Sequence, residues 1–277
     1  MKILRIVLYV AALLAAYAWL ASPDNVGVEA IFFDVGQGDA WLMKTKAGKI
    51  ILVDGGPDWK LIPLIDSYLG PERRTIDILV ATHAHSDHLS SLPEITQRYE
   101  VRTAILPVSF SGGEAESLVS ALKMEGADIV HLEGYRCLEL EEDCSLCLDA
   151  GEQKDTEDEN DNSLISRWDC GGISIVGTGD AGIGRETNYL KQAGGERADV
   201  LKVGHHGSDT SSSKEFLAAV QPKIAYISVG KDNSYGHPSL ETLAKLGDIF
   251  IEIWRSDEMG SLRIYANNNK IIAEKWP

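Results

Sequence analysis

The densest chemistry in the chain lies in Thr82-His83-Ala84-His85-Ser86-Asp87-His88, where three imidazoles and a carboxylate fall within six positions. The whole chain has seven histidines, so this concentration reads as a metal-ligand cluster and not as an ordinary polar loop. Neutral imidazole nitrogens and carboxylate oxygens suit zinc, manganese or iron, and alternate residues of an extended segment can turn two side chains toward one ion. On that logic His83 and His85 serve one cation, while Asp87 and His88, past the turn, reach a second. Groups of the same kind follow at Asp54, at Asp180, at the pair His205-His206 and at His237.

These groups stand at or shortly beyond the C-terminal ends of predicted strands, from which side chains can converge on one sheet edge. Apolar runs predict strands over Gly27–Val35, Asp39–Thr45 and Ile50–Val53, an antiparallel meander with glycine-bearing turns. Helical spacing over Trp59–Tyr68 stops at Gly70-Pro71, and a strand over Ile76–Ala81 leads into the histidine loop. Helices over Leu89–Tyr99 and Glu114–Met124 then alternate with strands over Arg102–Leu106 and Ala127–Leu132. The stretch Tyr135–Asn162 has no periodicity and is expected to be a surface excursion. Beyond it, strands over Ser163–Asp169, Ile173–Val176, Ala198–Val203, Lys223–Val229, Asp248–Trp254, Leu262–Ala266 and Ile271–Glu274 are interleaved with helices over Arg185–Ala193, Lys214–Val220 and Ser239–Leu246. Such alternation argues for α/β layers. Asp34 beside the turn Gly36-Gln37-Gly38, and Asp54 before Gly55-Gly56, can orient metal-bound imidazoles from behind or merely cap turns; the later histidines favour the first role.

A chain of 277 residues has room for one large α/β domain. Its net charge of -16 is concentrated between Glu139 and Asp161, where eleven acids face the single base Lys154. Net acidity repels a polyanion at long range, which counts against a broad basic groove for nucleic acid. Met1-Lys2-Ile3-Leu4-Arg5, followed by the uncharged run Ile6–Ala21, predicts a signal peptide or a short membrane anchor over residues 1–25, with one domain carrying the ligand cluster at 26–277. The chain is therefore expected to be exported, either secreted or anchored on the outer face of a membrane. Cys137, Cys144, Cys147 and Cys170 make an even number, and in an exported chain they favour disulfides over a Cys-x-x-Cys metal knuckle.

Seven ordered segments extend the pattern: FFDVGQGDA at 32–40, LVDGG at 52–56, HAHSDH at 83–88, DNSL at 161–164, TGD at 178–180, KVGHHGS at 202–208 and YGHP at 235–238. Together they resemble the metallo-β-lactamase domain of ComEC-type competence proteins over about residues 27–277. The resemblance implies an αβ/βα four-layer sandwich with a two-metal hydrolase site along one edge. It implies that His83 and His85 hold one divalent ion, that Asp87, His88 and His206 hold the other, and that Asp180 bridges them, the metals being zinc or manganese. His206 is preferred to His205 because the related phosphorylcholine-esterase pattern uses the second imidazole as ligand and the first as a phosphate contact. Elsewhere in the superfamily a further histidine serves the first metal. Here only His131 lies in that interval, inside a strand-like run, and Asn162 and Ser163 are expected near the first metal or a substrate phosphate.

Two divalent ions about 3.5–4 Å apart acidify a shared water and offset phosphoryl charge, so no serine or cysteine nucleophile is required. Asp87, His205 and His237 are the expected catalytic residues; the two histidines suit contact with non-bridging oxygens or protonation of the leaving group. Lys202 is expected to add positive charge, and Ser208 lies in a small-residue turn that an anion can approach or that caps the next helix. The expected function is metal-dependent hydrolysis of a phosphodiester, DNA or a smaller ester, with membrane contact through the leader if it is uncleaved. Hydrolysis of a lactam or lactone is an alternative, against which the paired His205-His206 counts. A non-catalytic ligand-binding domain is another, against which the intact ligand set counts.

Overall fold

The structure is a computed structural model that describes residues 27–151, 159–267 and 270–277. The expected leader over residues 1–25 lies outside the described residues. From Gly27 onward the chain lays down β1 (Glu29–Phe32), β2 (Trp41–Lys44) and β3 (Ile50–Val53) as the antiparallel meander that the glycine turns predict. Crossover helices then permit parallel pairing. Helix α1 (Leu61–Leu69) returns the chain to β4 (Thr75–Val80), α2 (Ser86–Leu89) and α3 (Leu92–Arg98) to β5 (Glu100–Pro107), and α4 (Gly113–Glu125) to β6 (Asp128–Leu132).

A second sheet starts with β7 (Tyr135–Glu141), β8 (Cys144–Asp149), β9 (Ile165–Cys170) and β10 (Ile173–Gly177), all antiparallel. It continues in parallel through α5 (Ile183–Ala193), β11 (Val200–Lys202), α6 (Lys214–Val220), β12 (Ile224–Ile227), α7 (Leu240–Asp248) and β13 (Glu252–Arg255). After α8 (Ser256–Met259), β14 (Leu262–Asn267) and β15 (Lys270–Lys275) rejoin the first sheet. The two orders are β15-β14-β1-β2-β3-β4-β5-β6 and β13-β12-β11-β10-β9-β8-β7.

Three apolar layers hold this arrangement. Between the sheets, Phe32, Trp41, Met43 and Val80 meet Leu146, Trp168, Ile175 and Tyr226. Outside the first sheet Leu61, Ile65, Ile95, Leu118 and Leu122 of the helices are buried against it, and outside the second, Tyr189, Phe216, Leu217 and Leu246. Each such side chain contributes about 1.5–3 kcal/mol when removed from water, and both faces of both sheets must be covered for the parallel strands to persist. The result is the αβ/βα four-layer sandwich.

Two expectations need correction. Tyr135–Asn162 is not an irregular excursion, since most of it is the hairpin β7–β8, tied by Cys137–Cys147 across its two strands and by Cys144–Cys170 to β9. Leu140, Leu146 and Leu148 face the core while Glu139, Glu142 and Asp143 face solvent, so the acids mask a strand pattern that the leucines carry. The acidic residues 152–158 lie outside the described residues. The helix expected over Leu89–Tyr99 is broken at Ser90-Ser91, because Pro93 sits in the first turn of a new helix.

Candidate metal centre

The expected ligands come together at one edge of the sandwich, on loops from both sheets. Oxygen or nitrogen atoms of Asp87, His88, Asp180 and His206 lie within 4.8 Å of one another, and so do those of His83, His85 and Asp180. Asp180 thus belongs to both groups. His88 Nε2 is 3.3 Å from Asp180 Oδ1, and His206 Nε2 is 3.5 Å from Asp180 Oδ2 and 3.1 Å from Asp87 Oδ2. His83 Nε2 is 4.0 Å from Asp180 Oδ2. Two ligands about 2.1 Å from one tetrahedral ion stand ~3.4 Å apart, so these spacings are those of groups that share a cation.

The buried atoms give a second test of the fit. Nε2 of His83, Nε2 of His88 and Oδ1 of Asp180 are buried without a hydrogen-bond partner, an arrangement that costs free energy unless something coordinates them. The opposite ring nitrogens are engaged. Asp54 Oδ2 lies 2.8 Å from His88 Nδ1 and also accepts the Thr82 hydroxyl at 2.8 Å, while its Oδ1 accepts the Thr82 N–H at 2.8 Å. Thr82 Oγ1 in turn lies 3.1 Å from His83 Nδ1. His206 Nδ1 is 2.9 Å from the Ser228 carbonyl. Protons held on the Nδ1 atoms leave each Nε2 lone pair for a metal.

Charge in the cluster points the same way. Burial alone drives imidazoles neutral, yet the carboxylates of Asp180 and Asp39 outweigh it at His206 and raise it to about 10. At His88 burial is likewise overcome, by Asp180 and Asp54, and the group is raised well above its ordinary value. His83 goes the other way: burial and the neighbouring His88 lower it well below that value. Asp180 is held far below the carboxylate range because His206 and His88 outweigh its desolvation. Protons on His88 and His206 balance the buried carboxylates, and a divalent cation displaces those protons.

Backbone geometry fixes the second half of the cluster. His205 and His206 both have left-handed conformations, φ 47° and 54°, which cost ~1–2 kcal/mol for each residue with a Cβ. The turn is held by hydrogen bonds from the His205 N–H to the Gly179 carbonyl and from the Ser208 N–H to the His205 carbonyl. His205 lies beside the ligand groups, Nε2 3.8 Å from Asp180 Oδ2, and its ring is 5.8 Å from that of His237. Burial and the imidazoles of His205 and His206 lower His237.

Several expected residues take other places. Asp34 accepts the Gly36 N–H at 3.2 Å and caps its own turn; the carboxylate that enters the cluster is Asp39, with Oδ1 3.5 Å from His206 Nδ1 and Oδ2 3.9 Å from His88 Nδ1. The alternation Gly36-Gln37-Gly38 contains the signal: Gly38 is pressed against the Asp87 carbonyl, where no side chain fits, and the next residue donates its N–H to that carbonyl. Lys202 is not a substrate contact, because its ammonium is 1% exposed and paired with Asp39 and the Gly179 carbonyl. Ser163 Oγ accepts the Asp180 N–H at 3.2 Å, and Asn162 is buried at the end of the preceding turn, so this segment braces the Asp180 loop. Ser208 is buried and bonds Thr210 Oγ1, which lies 3.4 Å from His205 Nδ1. Ser213 caps α6 by accepting the Phe216 N–H. His131 is exposed on β6. Besides Asp39, sequence reasoning missed Thr82 and the carbonyl of Ser228.

A model of the metallo-β-lactamase superfamily matches residues 33–231. The chain is similar to ComE operon protein 3 of Bacillus subtilis (strain 168), 29% identical over 280 residues that cover 94% of this chain and 35% of that protein. It is also similar to Competence protein ComA of Neisseria gonorrhoeae, 27% identical over 256 residues, 92% of this chain and 34% of that protein. The chain thus spans about a third of the length of these relatives, both of them ComEC-type competence proteins. Among solved structures, the metallo-β-lactamase fold protein YhfI from Bacillus subtilis superposes with a TM-score of 0.58 at 10% identity, over 90% of this chain and 100% of that one, a likeness of fold. Sheet order, paired ligand groups and the matched span agree: the chain belongs to the metallo-β-lactamase superfamily.

Proposed function

We propose that this chain hydrolyses phosphodiester bonds, in DNA or in a smaller ester, with two divalent cations, zinc or manganese. The observation that carries the reading is the placement of His205 and His237 beside the two ligand groups. A phosphodiester offers two non-bridging oxygens and a leaving oxygen to be met at once, and two further imidazoles bordering the cation site suit that demand better than the single oxyanion of a lactam. One of the relatives, of which the chain spans about a third, is named a competence protein.

His83 and His85 would hold one cation and Asp87, His88 and His206 the other, with Asp180 between them. Cations bound there supply Lewis acidity, lowering the pKa of water toward neutrality and offsetting charge on the phosphoryl group. The chain's own contribution is preorganisation. Asp54 and the Ser228 carbonyl hold Nδ1 of His88 and His206, leaving each Nε2 aimed inward. His205 presents Nε2 on the Asp180 side, backed by Thr210 at Nδ1. His237, neutral at physiological pH, is suited to donate a ring N–H to a phosphoryl or leaving oxygen.

Two disulfides fit an oxidising compartment. In our reading the domain is exported, either secreted or held on the outer face of a membrane by residues 1–25; among the described residues no helix is long and apolar enough to cross one. The test offers the full chain, loaded with zinc or with manganese, bis-p-nitrophenyl phosphate, single-stranded DNA and nitrocefin. Turnover of a phosphodiester that Asp180→Asn abolishes is the expected result, and turnover of nitrocefin alone would sink the reading.

A further inference from the structure

The loop between β12 and α7 carries an aromatic side chain that the cation cluster does not use. Tyr235 is 70% exposed, an unfavourable place for a large ring, yet the loop beneath it is tightly bonded. Asn233 Oδ1 accepts the N–H groups of Tyr235 and His237, both at 3.1 Å, and its Nδ2 donates to the carbonyls of Gly230 at 3.0 Å and His237 at 2.7 Å. Pro238 packs so closely on Gly207 that a Cβ there would meet it at 2.6 Å, and the Ser239 N–H donates to the Gly207 carbonyl at 2.9 Å. The loop is therefore seated on the turn that holds His205 and His206, and the ring is presented from a fixed base.

Its plane lies 13° from that of His237 with the centroids 6.0 Å apart, an offset near-parallel pair that leaves the Tyr235 ring 70% exposed, and His237 is 5.8 Å from His205. Two ring-to-ring steps thus connect Tyr235 to the flank of the cation cluster. An exposed flat ring suits another flat π system, whereas a quaternary ammonium is held by a cage of aromatic walls. Base–aromatic stacking is itself independent of charge, although single-strand binders ordinarily add a positive groove for the backbone; in a chain of net charge -16 the stacking contact therefore carries a larger share of the recognition.

On the phosphodiesterase reading of the site, we propose that Tyr235, backed by His237, is a stacking platform for the nucleobase that flanks the scissile phosphate. The bond is then cleaved in a single-stranded nucleic acid and not in a base-free ester.

The test uses the full chain loaded with manganese and two fluorescein-labelled oligothymidylates with cleavage-resistant phosphorothioate linkages, one intact and one abasic throughout. Binding is read by anisotropy, and turnover of bis-p-nitrophenyl phosphate is read separately. The wild type is expected to bind the intact strand about 5- to 150-fold more tightly than the abasic one. Tyr235→Ala should lose that factor on the intact strand and nothing further on the abasic one; Tyr235→Trp should keep the discrimination. Phe250→Ala, which alters a 96% exposed ring past the far end of α7, should leave both affinities unchanged. Equal affinity of the wild type for the two strands, no binding of either, or equal weakening of both by Tyr235→Ala would overturn the platform. So would a choline phosphodiester that displaces the strand from the wild type but not from Tyr235→Ala. Base discrimination without turnover of any phosphodiester upholds the platform and refutes the hydrolase; turnover without discrimination refutes the platform alone.

Discussion

Asp54→Asn isolates the orienting role of a carboxylate that lies behind the proposed ligands. Asp54 is 1% exposed and sits at φ 58°, a left-handed conformation that asparagine tolerates better than most residues, so the backbone has no reason to move. The amide oxygen can keep the Thr82 N–H, but its NH2 then faces Thr82 Oγ1 and His88 Nδ1, both of which Oδ2 meets at 2.8 Å. A donor now opposes the Nδ1 proton, and His88 is driven to the tautomer with its proton on Nε2, the atom that lies 3.3 Å from Asp180. Loss of such an orienting partner costs about 10- to 100-fold in metal affinity or activity, equivalent to about 1.4–2.7 kcal/mol. Asp54→Ala should cost more in stability, since it also orphans the buried Thr82 N–H at ~1–3 kcal/mol and places a Cβ without a compensating hydrogen bond in the left-handed region. Competition with a fluorescent chelator gives the affinity, and urea melts give the stability. An Asp54→Asn protein with wild-type affinity for both cations would refute the claim that Asp54 sets the tautomer of His88.

Three further predictions test other parts of the arrangement. Lys202→Met leaves the buried Asp39 carboxylate without its ammonium partner, with only the imidazoles of His206 and His88 nearby, and should destabilise the fold by up to about 3–5 kcal/mol in urea; adding Asp39→Asn should recover part of the loss, and a Lys202→Met protein as stable as wild type would sever the pair from the fold. Chelation of bound cations should lower the melting temperature by about 5–10 °C, taking ~2.7 kcal/mol at a hundredfold excess over Kd and the size of the domain, and restored cation should reverse it; a melting temperature indifferent to both treatments would remove the cations from the structure. Asp199 is held below its ordinary value of 3.8, because Lys223 and the Ser174 N–H and hydroxyl outweigh its desolvation. A lowered carboxylate stabilises the fold above the unfolded value, and that contribution is lost as pH falls through the folded one. Asp199→Asn should therefore show a shallower loss of stability than wild type below about pH 4, and parallel acid melts would contradict the assignment.

Much of the site was legible because metal ligation constrains residue type at each position. The cluster from His83 to His88 declares itself by residue type and by its position past an apolar strand, whereas the parts given to Asp180 and to His206 in preference to His205 came from the family resemblance. Asp39 was harder. It and Asp34 flank the same glycine turn, and the close approach of Gly38 to the Asp87 carbonyl, which accepts the Asp39 N–H, places Asp39 on the inner side. Lys202 adds its positive charge from behind the cluster, through Asp39, and its buried neighbours Val200, Leu201 and Val203 mark a strand with no route to solvent. The hairpin β7–β8 was hidden by composition: exposed acids masked the inward-facing Leu140, Cys144, Leu146 and Leu148. Alternating α/β layers followed from periodicity and the four-layer sandwich from the family resemblance, while strand order needed the structure; the carbonyl of Ser228 carries no signature in its residue type, and backbone partners of this kind stay silent until the chain is folded.

The division of ligands between the sheets has a consequence for how the protein is made. His83, His85, Asp87 and His88 belong to loops of the first sheet, Asp180 and His206 to loops of the second. A growing polypeptide therefore presents four of the six candidate ligands long before the other two exist, and the set is complete only when both layers have closed on each other. A cation held by the whole set would thus be taken up where folding finishes and not where synthesis begins.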